Sequence, residues 1–322
     1  MSLARTEPLS FLVGPTASGK SALALEVAER IGAEIVSLDS MLVYRGMDVG
    51  TAKPDAAARA RVPHHVVDLV DPSERYHVQR YLADAGAAIE AIRARDARIL
   101  FVGGTGLYLK ALTHGLFEGP PHDEGLRAEL EERWDAEGGE ELHAELLRAD
   151  PRAGERIHPN DRKRVIRGLE VWLASGRTLT AWQAEWGAAG GAPGALARER
   201  VPGRVPGRVI VGLEVPAERL DARIAERTRG MLADGWIEET RAVQGGVGFG
   251  PTAIQALGYA EVLRHLEGAL GRGELEELVR LRTRQLARRQ RTWFRGFPEI
   301  RWVDPEGPDP AGAILDALDP VR

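Results

Sequence analysis

Over roughly the first third of the chain, short uninterrupted apolar runs alternate with stretches where apolar side chains recur every three or four positions. Leu9, Phe11, Leu12 and Val13 make the first run. Ser21 to Ile31 then puts Leu23, Val27, Ala28 and Ile31 on one helical face, with Gly32 placed to end it. Glu34-Ile35-Val36-Ser37-Leu38 predicts a strand closing at Asp39-Ser40, and His65-Val66-Val67-Asp68-Leu69 predicts another. A helix is expected from about Val78 to Arg95, and Arg98-Ile99-Leu100-Phe101-Val102 runs as a strand into Gly103-Gly104-Thr105-Gly106. A continuous apolar run suits a strand buried on both faces, so the alternation predicts a parallel sheet covered by helices on either side.

From about Pro120 the pattern changes. Leu126–Arg133, Leu142–Leu147 and Arg164–Leu173 read as helices with no strand between them. Residues 188–208 are rich in Gly, Pro and Ala and repeat Val-Pro-Gly-Arg at 201–204 and 205–208, a surface linker expected to be inert. Val209-Ile210-Val211-Gly212-Leu213 predicts one more strand of the parallel sheet, Ala217–Arg295 is mostly helical, and Trp302-Val303 suits a final short strand. The expected architecture is α/β: a parallel-sheet core of the phosphate-loop NTPase type, formed by residues 1–118 and 200–322, interrupted by an all-helical insertion at 119–199.

Composition narrows the chemistry. With no cysteine among 322 residues, disulfides, thiolate metal sites and cysteine nucleophiles are excluded. None of the 8 histidines shows metal-ligand spacing. No segment approaches transmembrane length and the first residues lack a leader pattern, so a soluble cytoplasmic protein, without membrane contact and monomeric by default, is expected. The net charge of −5 argues weakly against a nucleic-acid binder. Its distribution argues the other way: Arg280, Arg282, Arg284, Arg288, Arg289, Arg291 and Arg295 fall together with Trp293 and Phe294, and Arg156, Arg162, Lys163, Arg164 and Arg167 form a second cluster. Two basic segments on an acidic chain favour a polyanionic partner over solvated helix faces.

Gly14-Pro15-Thr16-Ala17-Ser18-Gly19-Lys20-Ser21 spells G-x-x-x-x-G-K-S between the first strand and the first helix, the context a Walker A loop needs. Its glycines let the backbone approach a phosphate, its N–H groups and the helix N-terminus supply positive potential, and Lys20 adds a full charge. The Ser21 hydroxyl can sit on a hydrated magnesium ion. In a parallel sheet ligands gather beyond the carboxyl ends of the strands, so loops 14–21, 39–42 and 103–106 should converge. Where many phosphate-loop hydrolases carry an aspartate after the strand equivalent to 99–102, this chain has Gly-Gly-Thr. Asp39 is the one well-placed carboxylate, with a turn or cap role as its ordinary alternative. A phosphate clamp, one carboxylate and one hydroxyl suit transfer from a diphosphate better than a motor ATPase.

Three blocks together resemble the tRNA dimethylallyltransferases: Gly14–Ser21; Asp39-Ser40-Met41-Leu42-Val43-Tyr44-Arg45-Gly46-Met47-Asp48-Val49-Gly50-Thr51-Ala52-Lys53-Pro54; and Gly103-Gly104-Thr105-Gly106-Leu107-Tyr108. Arg156–Asp161 with Lys163, Arg164 and Arg167, and Thr283–Trp293, extend the likeness over about residues 9–303. The resemblance implies transfer of a five-carbon allylic group from dimethylallyl diphosphate, with magnesium and without ATP. The acceptor is the exocyclic amine of the adenosine 3′ of the anticodon in tRNAs that read codons beginning with U. It assigns residues 14–21 and Arg223 to the diphosphate and Ser21 to the metal. Asp39 becomes the general base and Thr105 a contact to the bridging oxygen and the target base. Asp39, Ser40, Met41, Leu42 and Thr105 would read the adenosine, while Arg127, Lys163, Arg164 and Arg167 would hold the anticodon stem-loop, with further phosphate contacts from Arg280–Arg295.

The chain departs from the family at Gly106, where many relatives carry a larger residue such as Met; a small residue there is expected to widen the channel. Ser21 replaces the commoner Thr and keeps the hydroxyl. The rival readings are a small-molecule kinase, an adenylate isopentenyltransferase and a non-catalytic RNA-binding protein. The missing carboxylate after strand 99–102 disfavours the first. The long helical insertion and two basic segments disfavour the second. The convergence of Lys20, Asp39 and Thr105 disfavours the third.

Overall fold

The computed structural model describes residues 9–115, 123–188 and 208–319. The strands are β1 (Leu9–Val13), β2 (Ala33–Leu38), β3 (His64–His65), β4 (Arg98–Gly103), β5 (Arg208–Leu213) and β6 (Ile300–Val303). They form one sheet in the order β3-β2-β4-β1-β5-β6, and every neighbouring pair is parallel. Leu12, Val36, Leu100 and Val211 are fully buried, as expected of strands covered on both faces. Phe11 and Phe101 stack across β1 and β4 with centroids 4.8 Å apart. The carboxyl ends of three adjacent strands lie level: Val13 pairs with Gly103, and Leu38 pairs with the same glycine.

The expected third strand shrinks to two residues. Val66 and Asp68 adopt positive φ (60° and 56°), a conformation no ladder tolerates, and the chain leaves the sheet there. The backbone N–H groups of Asp68, Leu69 and Val70 turn instead to the carbonyls of Leu42 and Val43.

Contacts divide the chain into two compact units, residues 1–111 with 199–322, and residues 112–198. Helices α1 (Lys20–Ile31), α2 (Ala56–Arg61), α3 (Val78–Arg93) and α4 (Gly106–His114) follow the strands of the first unit, with α4 running on past the division. The second unit holds α5 (Glu124–Glu137), α6 (Gly139–Ala149), α7 (Pro151–Arg156), α8 (Arg162–Ser175) and α9 (Leu179–Ala188), with no strand among the described residues. Leu130, Leu142, Leu146, Val165, Ile166 and Leu169 give it a core of its own, each contributing about 1.5–3 kcal/mol on burial. The first unit resumes with β5 and with α10 (Ala217–Ala233), α11 (Trp236–Gly245), α12 (Tyr259–Leu266), α13 (Arg272–Arg295) and α14 (Pro310–Leu318). Most of the linker, including 201–207 of its repeat, lies outside the described residues; Arg208 is the first residue of β5.

Candidate active site

The phosphate loop leaves β1 and turns back into α1 through two residues of positive φ, Ala17 (63°) and Gly19 (86°). A non-glycine residue in that region is strained and needs its surroundings to hold it. Ala17 packs against Val215, Leu220, Ile224 and Ala287, which supplies that constraint. No side chain caps α1 and its first turn contains no acid, so its free N–H groups face the loop with no competing anion. Ser18 is fully buried, and its Oγ has no hydrogen-bond partner among the described residues.

Lys20 is the first residue of α1, and its ammonium donates to the Pro15 carbonyl at 3.2 Å. Burial, together with the charge of Arg227, pushes its pKa down from 10.5 to about 8, although Asp39 partly offsets both. Arg227, one helical turn beyond Arg223 on α10, is itself depressed by burial and supported by Asp39. Lys20 and Arg227, both half-buried, thus bring two cations toward Asp39, an arrangement that gains by taking up an anion. Arg223 donates to the Ser18 carbonyl at 3.3 Å and is ion-paired with Glu306 at 2.9 Å, so part of its charge is already engaged.

Loops 39–42 and 103–106 meet beside this cradle. Gly103 is required there, because a Cβ would collide with the Leu38 backbone. Thr105 N–H donates to Leu38 O at 3.1 Å, and Thr105 Oγ1 accepts from Ser40 N–H at 3.2 Å. Asp39 Oδ1 accepts from Met41 N–H at 2.8 Å, so one oxygen orders the loop that holds Ser40, Met41 and Leu42, all half-buried. Its other oxygen has no hydrogen-bond partner among the described residues. Asp39 thus combines the turn role with a carboxylate oxygen left available. Beneath these loops Tyr81 donates to Ser37 O at 3.1 Å and stacks on Tyr108 at 3.9 Å between centroids.

Two residues that periodicity could not single out complete the cradle. Gln290 of α13 accepts from Thr16 N–H at 2.8 Å and donates to Gly104 O at 3.0 Å, joining the phosphate loop to the 103–106 loop. Its partners lie far away in sequence. Arg227 could have been suspected only from its spacing to Arg223.

At Gly106 the expectation fails. A Cβ placed there would overlap the Trp293 indole, so the space the small residue opens is filled by a side chain of α13.

The long block 44–54 proves to be a scaffold. Lys53, its side chain 1% exposed, donates to Tyr44 O (2.6 Å), Asp48 (2.5 Å) and Asp68 (2.6 Å). Burial works to raise the Asp68 pKa, but hydrogen bonds from Lys53 and Arg59 outweigh it and hold the carboxyl below the usual range. Glu239 of α11 accepts from the backbone N–H groups of Asp48 (2.6 Å), Val49 (2.6 Å) and Gly50 (3.1 Å), and from the Tyr259 hydroxyl (2.7 Å).

In the helical unit, Arg127 and Arg167 both reach Glu170, whose side chain is 0% exposed, at 3.6 Å and 3.1 Å. These arginines tie α5 to α8, and Arg127 also pairs with Glu131 at 3.1 Å. Lys163 and Arg164 lie on the exposed side of α8; Arg164 is 68% exposed, with Asp161 at 3.5 Å. On α13, Arg280, Arg282, Arg284 and Arg295 pair with Glu277, Glu261, Asp221 and Glu214. That leaves Arg288, Arg289 and Arg291 without an ion-pair partner among the described residues.

A phosphate loop, an acid and a hydroxyl at adjoining strand ends define a group-transfer enzyme of the phosphate-loop class. Comparison with known proteins makes the assignment narrower. Residues 42–297 match the IPP transferase family model, and residues 8–62 match the isopentenyl transferase model. The chain is 45% identical over 301 residues to a tRNA dimethylallyltransferase of Geobacter metallireducens, covering 93% of each protein. With the corresponding protein of Xanthomonas axonopodis pv. citri it is 45% identical over 309 residues, 93% of this chain and 90% of that one. The crystal structure of a tRNA isopentenylpyrophosphate transferase from Bacillus halodurans matches at TM-score 0.66 and 34% identity, covering 96% of this chain and 94% of that one. A eukaryotic dimethylallyltransferase acting on tRNA matches at TM-score 0.71 and 26% identity, over 92% and 74%. The chain belongs to the IPP transferase family. No described helix is long and apolar enough to cross a membrane.

Proposed function

We propose that this chain transfers a dimethylallyl group from dimethylallyl diphosphate to the exocyclic amine of the adenosine 3′ of the anticodon in tRNAs that read codons beginning with U. The observation that carries the reading is the unspent Asp39 oxygen, held by the Thr105 loop beside a cationic, desolvated phosphate loop. An adenine amine is a poor nucleophile because its lone pair is delocalised. Its nitrogen attacks the allylic C1, the C1–O bond breaks, and the electron pair leaves on diphosphate. Asp39 accepts the amine proton as the C–N bond forms. Lys20, the loop amides, Arg223 and Thr105 stabilise the negative charge growing on the leaving group.

The donor set at α1 suits a magnesium ion that keeps most of its water. Ser21 is exposed at the start of the helix, and no cluster of three or more His, Cys, Asp or Glu able to cage a metal occurs among the described residues. Ser21 would hold the ion through its hydroxyl, and the ion would supply charge neutralisation of the leaving group.

The base must leave its stack to reach Asp39, where residues 39–42 would read it. The helical unit, through Arg127, Lys163, Arg164 and Arg167, would take the anticodon stem-loop. We place the enzyme in the cytoplasm as a monomer. Incubation with radiolabelled dimethylallyl diphosphate, magnesium and either unmodified tRNA or adenosine monophosphate tests the proposal. Label is expected in tRNA, and label confined to the monophosphate would overturn it in favour of a free-nucleotide acceptor.

A further inference from the structure

The side chain of Trp293 has no role in the cradle described above, yet it lies at its edge. Its indole covers the Cα of Gly106, the residue next to Thr105, closely enough that no Cβ fits between them. A Trp so placed would ordinarily finish its burial against the helix it covers, but this one stays 41% exposed. On the same end of α13, Arg288 and Arg289 are exposed and Arg291 is half-buried, none of them ion-paired among the described residues, whereas the arginines to either side are paired. One turn earlier, Gln290 ties the helix to both loops of the site, which holds the backbone of Trp293 in place beside Gly106. An exposed ring flanked by guanidinium groups without ion-pair partners among the described residues is the combination that binds single-stranded nucleic acid: the ring offers a face to any base, and the cations take the backbone.

We propose that Trp293 is a stacking platform for a nucleobase of the single-stranded RNA loop that delivers the reacting adenine, and that Gly106 is small in this chain so that the indole can lie beside Thr105. The inference rests on the function proposed above and deepens it by naming the side chain that holds the unstacked loop. A ring stacked on a base replaces some of the stacking the base loses on leaving its helix, which lowers the cost of presenting the adenine to Asp39.

The test uses the full chain, a hairpin RNA with an unmodified adenosine 3′ of its anticodon, and inorganic pyrophosphate as a separate probe of the phosphate loop. Trp293→Ala should weaken RNA binding by roughly ten- to a hundredfold, leave pyrophosphate affinity unchanged, and leave the dependence of RNA affinity on salt unchanged, because no phosphate contact is lost. Trp293→Phe should recover most of the affinity. Arg289→Ala should instead flatten the salt dependence. Gly106→Ala, which displaces the indole without deleting it, should reproduce the Trp293→Ala loss. Parent-like RNA affinity in both Trp293→Ala and Gly106→Ala would overturn the stacking role and leave the proposed function standing. A parent protein that binds pyrophosphate but no RNA would overturn both.

Discussion

Lys20 and Lys53 both sit in sequence blocks that resemble the same family, and both lie in tight surroundings at the head of the sheet. Their environments differ in one respect. Lys53 is enclosed by two carboxylates and a carbonyl, every donor spent. Lys20 gives one hydrogen bond to its own loop, faces a second cation, and has a depressed pKa. A buried charge that is satisfied is a structural member, and removing it leaves orphaned partners. A desolvated charge that is left underpaired is waiting for a ligand. The 44–54 block therefore reads as the frame that carries Asp39 and its loop, and the 14–21 loop as a place built to take up an anion.

The largest effect expected from this contrast falls on Asp39. Asp39→Asn keeps an oxygen for the Met41 N–H and so preserves the turn, but cannot take a proton; the single-turnover rate should fall by roughly two to four orders of magnitude with tRNA affinity nearly intact. A parent-like rate in that variant would reduce Asp39 to a turn residue. On the frame side, Lys53→Met leaves the Tyr44 carbonyl without its donor and Asp68 held by Arg59 alone, and should cost about 1–3 kcal/mol of stability in urea unfolding. A loss below about 1 kcal/mol would show that the cluster is not the structural member we describe.

The smallest effect is in pH. Because Lys20 titrates at about 8 in the folded protein rather than 10.5, its ammonium is present below that value and lost above it. Pyrophosphate affinity should be level below pH 8 and fall by up to about tenfold per unit above it. The stability of the free protein moves the other way. Charging a group whose folded pKa is depressed costs stability below about pH 8; that cost is relieved as pH rises toward 10.5. Arg227→Gln removes one of the two causes and should carry the binding limb to higher pH. An unmoved limb would show that the Arg227 charge does not reach Lys20.

Much of the molecule was legible in one dimension. The runs at 9–13, 34–38, 98–102 and 209–213 became parallel strands, and the Gly-rich octapeptide became a phosphate loop at the end of the first. These outcomes depend on periodicity and on glycine at fixed offsets, which are local properties of the chain. The run at 65–69 had the same apolar look and failed as a strand. Two residues of positive φ, Val66 and Asp68, and the pull of Lys53 on Asp68 take it out of the sheet. The resemblance named Arg127 and Arg167 as RNA contacts, but no spacing rule could show that both also hold a buried Glu170.

The linear chain alone determined where most strands of the sheet run, that a glycine-rich loop would join the first of them to its helix, and which acid stood in the next loop. Each of these follows from residues within a turn or two of one another. Tertiary structure alone decided that Gln290 joins two loops, that Glu239 collects three backbone amides, that Arg227 presses on Lys20, and that the room at Gly106 belongs to Trp293. Those contacts join side chains from distant parts of the chain. Only packing of helices onto the sheet edge brings them within hydrogen-bond or van der Waals reach.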